Sequence, residues 1–136
     1  MDNTYMVDWA ITNKCNLRCL HCRGMNKEEL SSETILRVAQ EISLLNPNWV
    51  IIEGGEPLLY DELLSVIDII HKKGIKIYLI SNGMLLNESF AKKLSNLNVN
   101  LILSIDGANK ETYENIRRGA SFEKLKEAVK IAKSFN

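Results

Sequence analysis

The chain has 136 residues, the size of one domain, with an ordinary apolar fraction of 46% and three cysteines. Its 17 basic and 17 acidic side chains cancel, which excludes the basic excess of a nucleic-acid or membrane-surface binder and the acidic block of a solvated tail. No run of 18 apolar residues and no secretory pattern follows Met1, and an odd cysteine count argues against a disulfide framework, so a cytoplasmic protein is expected.

Short apolar runs alternate with amphipathic segments, the pattern of an α/β fold on a parallel sheet. Tyr5–Ile11 reads as the first strand, and the loop CNLRCLHC follows it with Cys15, Cys19 and Cys22. A helix is expected over Ser32–Leu45. Ile35, Val38, Ala39 and Ile42 share one face, Ser31 is placed to cap it, and Leu30 and Ile35 to staple it. Strand two, Trp49–Ile52, leads into Glu53-Gly54-Gly55-Glu56-Pro57. The next helix, Glu62–Lys73, turns Leu63, Val66, Ile67 and Ile70 inward, with Asp61 as cap and Gly74 as stop. Strand three, Ile75–Ile80, ends in Ser81-Asn82-Gly83. A helix over Glu88–Asn96, capped by Asn87, turns Ala91 and Leu94 inward. Strand four, Leu101–Ile105, runs into Asp106-Gly107. A short helical piece near Lys110–Ile116 precedes a last helix, Phe122–Phe135, capped by Ser121 with Leu125, Val129 and Ala132 inward. The strands are mostly apolar throughout, which predicts a sheet covered on both faces.

Every unusual residue falls after a strand. In parallel α/β folds ligands bind at the C-terminal strand ends, so four polar or glycine-rich turns converge on one mouth. Gly54-Gly55 removes side chains where a backbone approaches a ligand, Glu56 adds an acceptor and Pro57 holds the exit. Gly83 and Gly107 read as well as positive-φ turn residues.

Three cysteines in one polar loop are one short of a closed metal site. Zinc held by the cysteines and His21 is one reading, but adjacent residues such as His21 and Cys22 rarely converge on one small ion. A 4Fe–4S cube accepts three cysteines from one loop and leaves an iron open. Lys14, Arg18 and Arg23 would offset its negative charge, or are simply solvated.

With GGEP after strand two, SNG after strand three and SIDG after strand four, the cysteine loop resembles the signature of the radical S-adenosylmethionine (radical SAM) superfamily over about Tyr5–Phe135. The stretch SIDGANKETYENIRRGASFEKL is similar to members that modify peptides or process tetrapyrrole and cofactor precursors. His21 departs mildly from the family, where an aromatic residue often precedes the third cysteine. The resemblance implies a 4Fe–4S cluster on Cys15, Cys19 and Cys22 with S-adenosylmethionine chelating the fourth iron. Reductive cleavage would give methionine and a 5′-deoxyadenosyl radical that abstracts hydrogen from substrate. It implies that Gly54, Gly55, Glu56 and Pro57 meet the methionine amino group and that Ser81 and Asn82 line the floor. Ser104 would meet the ribose or the carboxylate, while Asp106 shapes its own turn. Arg117 would pair with the carboxylate, with Arg118 as rival. A flavodoxin or ferredoxin would supply the electron. The family core has six βα units and this sequence reads as four. The chain is therefore expected to be a partial TIM-type barrel, residues 1–136 forming the N-terminal part of the core as a fragment, with Leu101–Ile105 an open edge available for self-association. The alternative is a non-catalytic iron–sulfur subunit or electron carrier that needs a partner chain. The substrate is not legible.

Overall fold

The computed structural model describes residues 5–22 and 28–135. In chain order these form β1 (Met6–Ala10), α1 (Ser32–Leu45), β2 (Trp49–Glu53), a 3-10 turn (Pro57–Leu59), α2 (Leu63–His71), β3 (Lys76–Ser81), α3 (Glu88–Asn96), β4 (Val99–Leu103), α4 (Lys110–Ile116) and α5 (Phe122–Ser134). The strands pair in sequence order, all parallel. Parallel neighbours joined by right-handed crossovers place their helices on one side of a sheet, as in a barrel wall.

Local chemistry sets most boundaries. Ser31, Asn87 and Ser121 cap α1, α3 and α5 as expected, each side chain accepting from the amide three residues on. Asn109 does the same for α4. Leu30 stands 60% exposed, so the expected staple does not bury it. The expected Asp61 cap is not made. The chain enters α2 from the 3-10 turn, where the Leu63 amide already bonds the Tyr60 carbonyl at 3.1 Å, so the backbone satisfies the donor itself. The fourth strand lies two residues earlier than its apolar run suggests. Asn98, at φ 51°, turns the chain directly from α3 into Val99, which pairs with Ile77. The Ser104 amide makes a further rung to the Ser81 carbonyl at 3.0 Å, and Ile105 is exposed.

The core lies between helices and sheet. Val50, Ile52, Ile77 and Leu79 are buried on one sheet face against Ile35, Ala39 and the predicted α2 residues Leu63, Val66, Ile67 and Ile70. Burying each large apolar side chain stabilises by about 1.5–3 kcal/mol. In α5 it is Ala128 rather than Val129 that joins Leu125 as fully buried. The expectation of a sheet covered on both faces is not met. Burial alternates along β1, β2 and β4, and the register puts Ile51, Tyr78 and Asn100 in one row of the other face and Glu53, Ile80 and Ile102 in the next. Among the described residues no helix lies over this face, and Ile102, on the edge strand β4, stays 42% exposed. A mostly apolar strand reads alike whether its second face meets a layer or the inside of a barrel wall.

Candidate metal and cofactor site

Beyond the strand ends, β1 and β2 stay zipped together. The Ile11 amide bonds the Glu53 carbonyl at 3.0 Å, the Gly55 amide the Thr12 carbonyl at 2.8 Å, and the Glu56 amide the Lys14 carbonyl at 2.7 Å. The glycine pair, expected to make room for a ligand, first makes room for the chain itself. A Cβ on Gly54 would lie 2.5 Å from the Thr12 carbonyl oxygen, and one on Gly55 2.1 Å from that of Lys14. Gly83 does take positive φ, at 78°, but Gly107 does not; its constraint is the Tyr113 amide nitrogen, 2.5 Å from where a Cβ would stand.

This zipper presents the cysteine loop, and three further ties fix the loop's shape. Glu29 accepts from the Thr12 hydroxyl at 2.9 Å and from the Asn13 amide at 2.5 Å. The Asn82 side-chain amide donates to Asn16 at 2.9 Å. The Arg18 amide bonds the Arg118 carbonyl at 2.9 Å and the Leu20 amide the Ile116 carbonyl at 2.8 Å, so a short antiparallel pairing joins the loop to the segment after α4. Leu17 is buried beneath it. Arg23 lies outside the described residues; Lys14 and Arg18 are exposed to solvent.

A cavity of about 320 Å³ opens beside the loop. Cys15, Cys19 and Cys22, all free thiols, line it together with Gly54, Gly55, Glu56, Ser81, Asn82, Ser104 and Arg117. These are the residues the sequence singled out, except Pro57, which is buried at the head of the 3-10 turn. Leu17, His21, Glu53 and Ile80 also line it. Ile80 and Glu53 follow from strand alternation, once the register is known. Burial pushes the Cys19 thiol upward in pKa, with Arg117 opposing. Among the described residues no three His, Cys, Asp or Glu side chains gather tightly enough to hold one metal ion. The donor set fits a cube instead, since a cube offers each thiolate its own corner iron. The Leu17 amide already points at Cys15 Sγ, 3.4 Å away, a contact of the kind that tunes cluster potentials.

Glu56 is fully buried, and both carboxylate oxygens are engaged within the chain. Oε1 accepts from the Ser81 hydroxyl at 2.7 Å and the Leu58 amide at 3.2 Å, and Oε2 from the Asn82 amide at 2.8 Å. Burial raises its pKa, while those three bonds and Arg117 pull it down. Its side chain therefore clamps the GGEP turn to the end of β3, leaving main-chain groups of the turn to face a ligand. Asp106 does more than shape its turn: Oδ2 accepts from Arg117 Nε at 2.5 Å, with His21 Nε2 at 3.7 Å from the same oxygen. Arg117 lines the cavity, whereas Arg118 is exposed.

The superfamily's sequence profile, described as "Radical SAM superfamily", matches residues 9–136. The chain belongs to the radical SAM superfamily. That family binds a 4Fe–4S cluster and S-adenosylmethionine. The chain is similar to an AdoMet-dependent heme synthase of Methanosarcina barkeri, 31% identical over 133 residues, covering 93% of this chain and 38% of the relative. It is 35% identical over 130 residues to a probable GTP 3′,8-cyclase of Methanococcus maripaludis, covering 90% of this chain and 43% of that protein. It thus spans about two fifths of the length of these enzymes. The fold matches that of native anSMEcpe with bound AdoMet at a TM-score of 0.78, with 24% identity and coverage of 96% of this chain and 40% of the other. Streptococcus suis SuiB bound to its precursor peptide SuiA matches at 0.80, with 20% identity and coverage of 97% and 30%. These radical SAM neighbours share the fold alone at such identities, and they assign the open sheet to a TIM-type barrel wall. No helix among the described residues is long and apolar enough to cross a membrane.

Among the described residues of this radical SAM chain two buried hydroxyls, those of Tyr60 and Tyr113, stand without a hydrogen-bond partner. Tyr113 is fully buried against Phe122, and among the described residues its hydroxyl has no hydrogen-bond partner. Burial raises its pKa. Removing an unsatisfied hydroxyl costs nothing, so Tyr113→Phe is expected to keep or raise stability by up to about 1 kcal/mol in urea titration. A loss of that size would show that the hydroxyl is bonded.

Proposed function

We propose that residues 1–136 are a partial radical SAM core domain that binds a 4Fe–4S cluster through Cys15, Cys19 and Cys22 and S-adenosylmethionine beside it. The observation that carries this is the convergence of the three thiols, Gly54, Gly55, Ser81, Asn82, Ser104 and Arg117 on one cavity. When bound, the pair supplies reductive cleavage of the sulfonium to methionine and a 5′-deoxyadenosyl radical that abstracts hydrogen from substrate. The chain's own residues do the rest. The zipped β1 and β2 exits hold the cysteine loop. Main-chain groups of Gly54 and Gly55 face the methionine amino group, with Glu56 and Pro57 setting the turn's shape. Ser81 and Asn82 form the floor, Ser104 meets the ribose or the carboxylate, and Arg117 offers a planar cation to the carboxylate. The substrate is a peptide or a cofactor precursor. The activities for which the heme synthase and cyclase relatives are named and the peptide bound to SuiB support that range. A flavodoxin- or ferredoxin-type donor supplies the electron.

Anaerobic reconstitution with iron and sulfide tests this reading, followed by dithionite and S-adenosylmethionine with mass-spectrometric detection of 5′-deoxyadenosine. About four irons per chain are expected, lost on replacing any of the three cysteines by serine. Product formation makes the chain an enzyme by itself. Iron without product makes it a cluster-binding part that other segments or a partner complete. Failure to take up iron overturns the proposal.

A further inference from the structure

An ion pair in the cavity wall has a geometry that solvated pairs lack. The carbonyls flanking Arg117, those of Ile116 and Arg118, accept from Leu20 and Arg18, so Arg117 sits opposite Cys19 in that pairing. Its own amide bonds the Tyr113 carbonyl at 2.8 Å, which fixes the backbone at the end of α4. The side chain is only 12% exposed and lines the cavity. Asp106 takes the inner nitrogen, Nε, at 2.5 Å. Among the described residues the two terminal nitrogens have no hydrogen-bond partner.

A guanidinium can seat a carboxylate along its side, through Nε and one terminal nitrogen, or across its end, through both terminal nitrogens. With Nε engaged, only the end remains. We propose that Asp106 is a positioning residue that, by holding Nε, aims the terminal nitrogens of Arg117 into the cavity as a two-pronged seat for a ligand carboxylate. This rests on the reading above that S-adenosylmethionine enters the cavity. Asp106 also balances the guanidinium charge, so that the cation lies in the wall beside Cys19 with its long side chain already ordered. A pre-organised donor pair loses less entropy on binding than a free arginine would.

The test measures binding of S-adenosylmethionine and of its decarboxylated analogue to the reconstituted chain by equilibrium dialysis. Wild type, Asp106→Asn and Arg117→Lys are compared, with iron content as the loading check. Any preference for the carboxylate that iron itself supplies is common to all three and cancels. In Asp106→Asn the preference for S-adenosylmethionine over the analogue is expected to fall about tenfold, the usual worth of a charge-assisted bond, while analogue affinity and iron content hold. Arg117→Lys should show a fall at least as large. Equal weakening of both ligands in Asp106→Asn would make the pair a plain structural tie and overturn the proposal, as would an unchanged preference. Full iron loading with neither ligand bound by wild type would overturn the cofactor reading itself, a failure distinguishable from the other two.

Discussion

Gly55→Ala is expected to be among the most damaging single substitutions in this chain, costing more than about 3 kcal/mol of the roughly 5–15 kcal/mol that a domain has. The added Cβ would meet the Lys14 carbonyl oxygen at 2.1 Å, its carbon at 2.6 Å and the Asn13 carbonyl oxygen at 2.9 Å. All three are backbone atoms, so no side chain can swing aside. The β1 and β2 exits would have to part, breaking the Gly55–Thr12 and Glu56–Lys14 bonds together. Gly74→Ala is the control. It has nothing within 4 Å but sits at φ 72°, so its cost is backbone strain alone, about 1 kcal/mol. Denaturant melts of the two variants separate the effects, and equal midpoints would sink the steric account.

Glu56→Ala is expected to cost about 3–5 kcal/mol. It strands the Ser81 hydroxyl and the Asn82 and Leu58 amides in a buried site and leaves a void. Glu56→Gln keeps the shape but turns an NH2 toward donors, so about 1–3 kcal/mol is lost at neutral pH. Wild type and Glu56→Gln also differ in pH response, because only the wild-type carboxyl titrates. Burial sets the folded-state pKa above the unfolded one. The folded state therefore holds its proton longer, and the stability from this group is fully present below the unfolded value and lost as pH rises through the folded value. The stability of wild type relative to Glu56→Gln should therefore decline as pH rises from about 4, then level off. A flat difference, or one that grows with pH, would show that the three hydrogen bonds outweigh burial.

The periodicity that predicted α1 through α5 is a local property, and local chemistry delivered it: Ser31, Asn87 and Ser121 cap the helices they were expected to cap. The strand-end rule points the cysteines, Gly54, Gly55, Ser81, Asn82 and Ser104 to one mouth, where the structure has them line one cavity; Arg117, which lines it too, is legible only through the family resemblance. What stayed hidden depends on register and on long-range pairing. Val99 was unreadable as a strand start because Asn98 and Asn100 flank it, and only the pairing with Ile77 makes it one. Gly54 and Gly55 gave a correct signal of close approach but could not say to what. Glu56 looked like a free acceptor because nothing in GGEP shows that Ser81 and Asn82 come to it from 25 residues or more away. Asp106 and Arg117 are eleven residues apart at opposite ends of α4, a spacing with no periodic meaning.

The bonds from Arg18 to Arg118 and from Leu20 to Ile116 also set an order of assembly. During synthesis the segment that braces the cysteines follows them by about a hundred residues, several seconds at ordinary elongation rates. Until then the thiols belong to a chain whose loop is unfinished. On the reading proposed above, a cluster can be loaded into the finished loop only once residues 116–118 have emerged, and the nascent cysteines are open to oxidation or to the wrong metal throughout that interval.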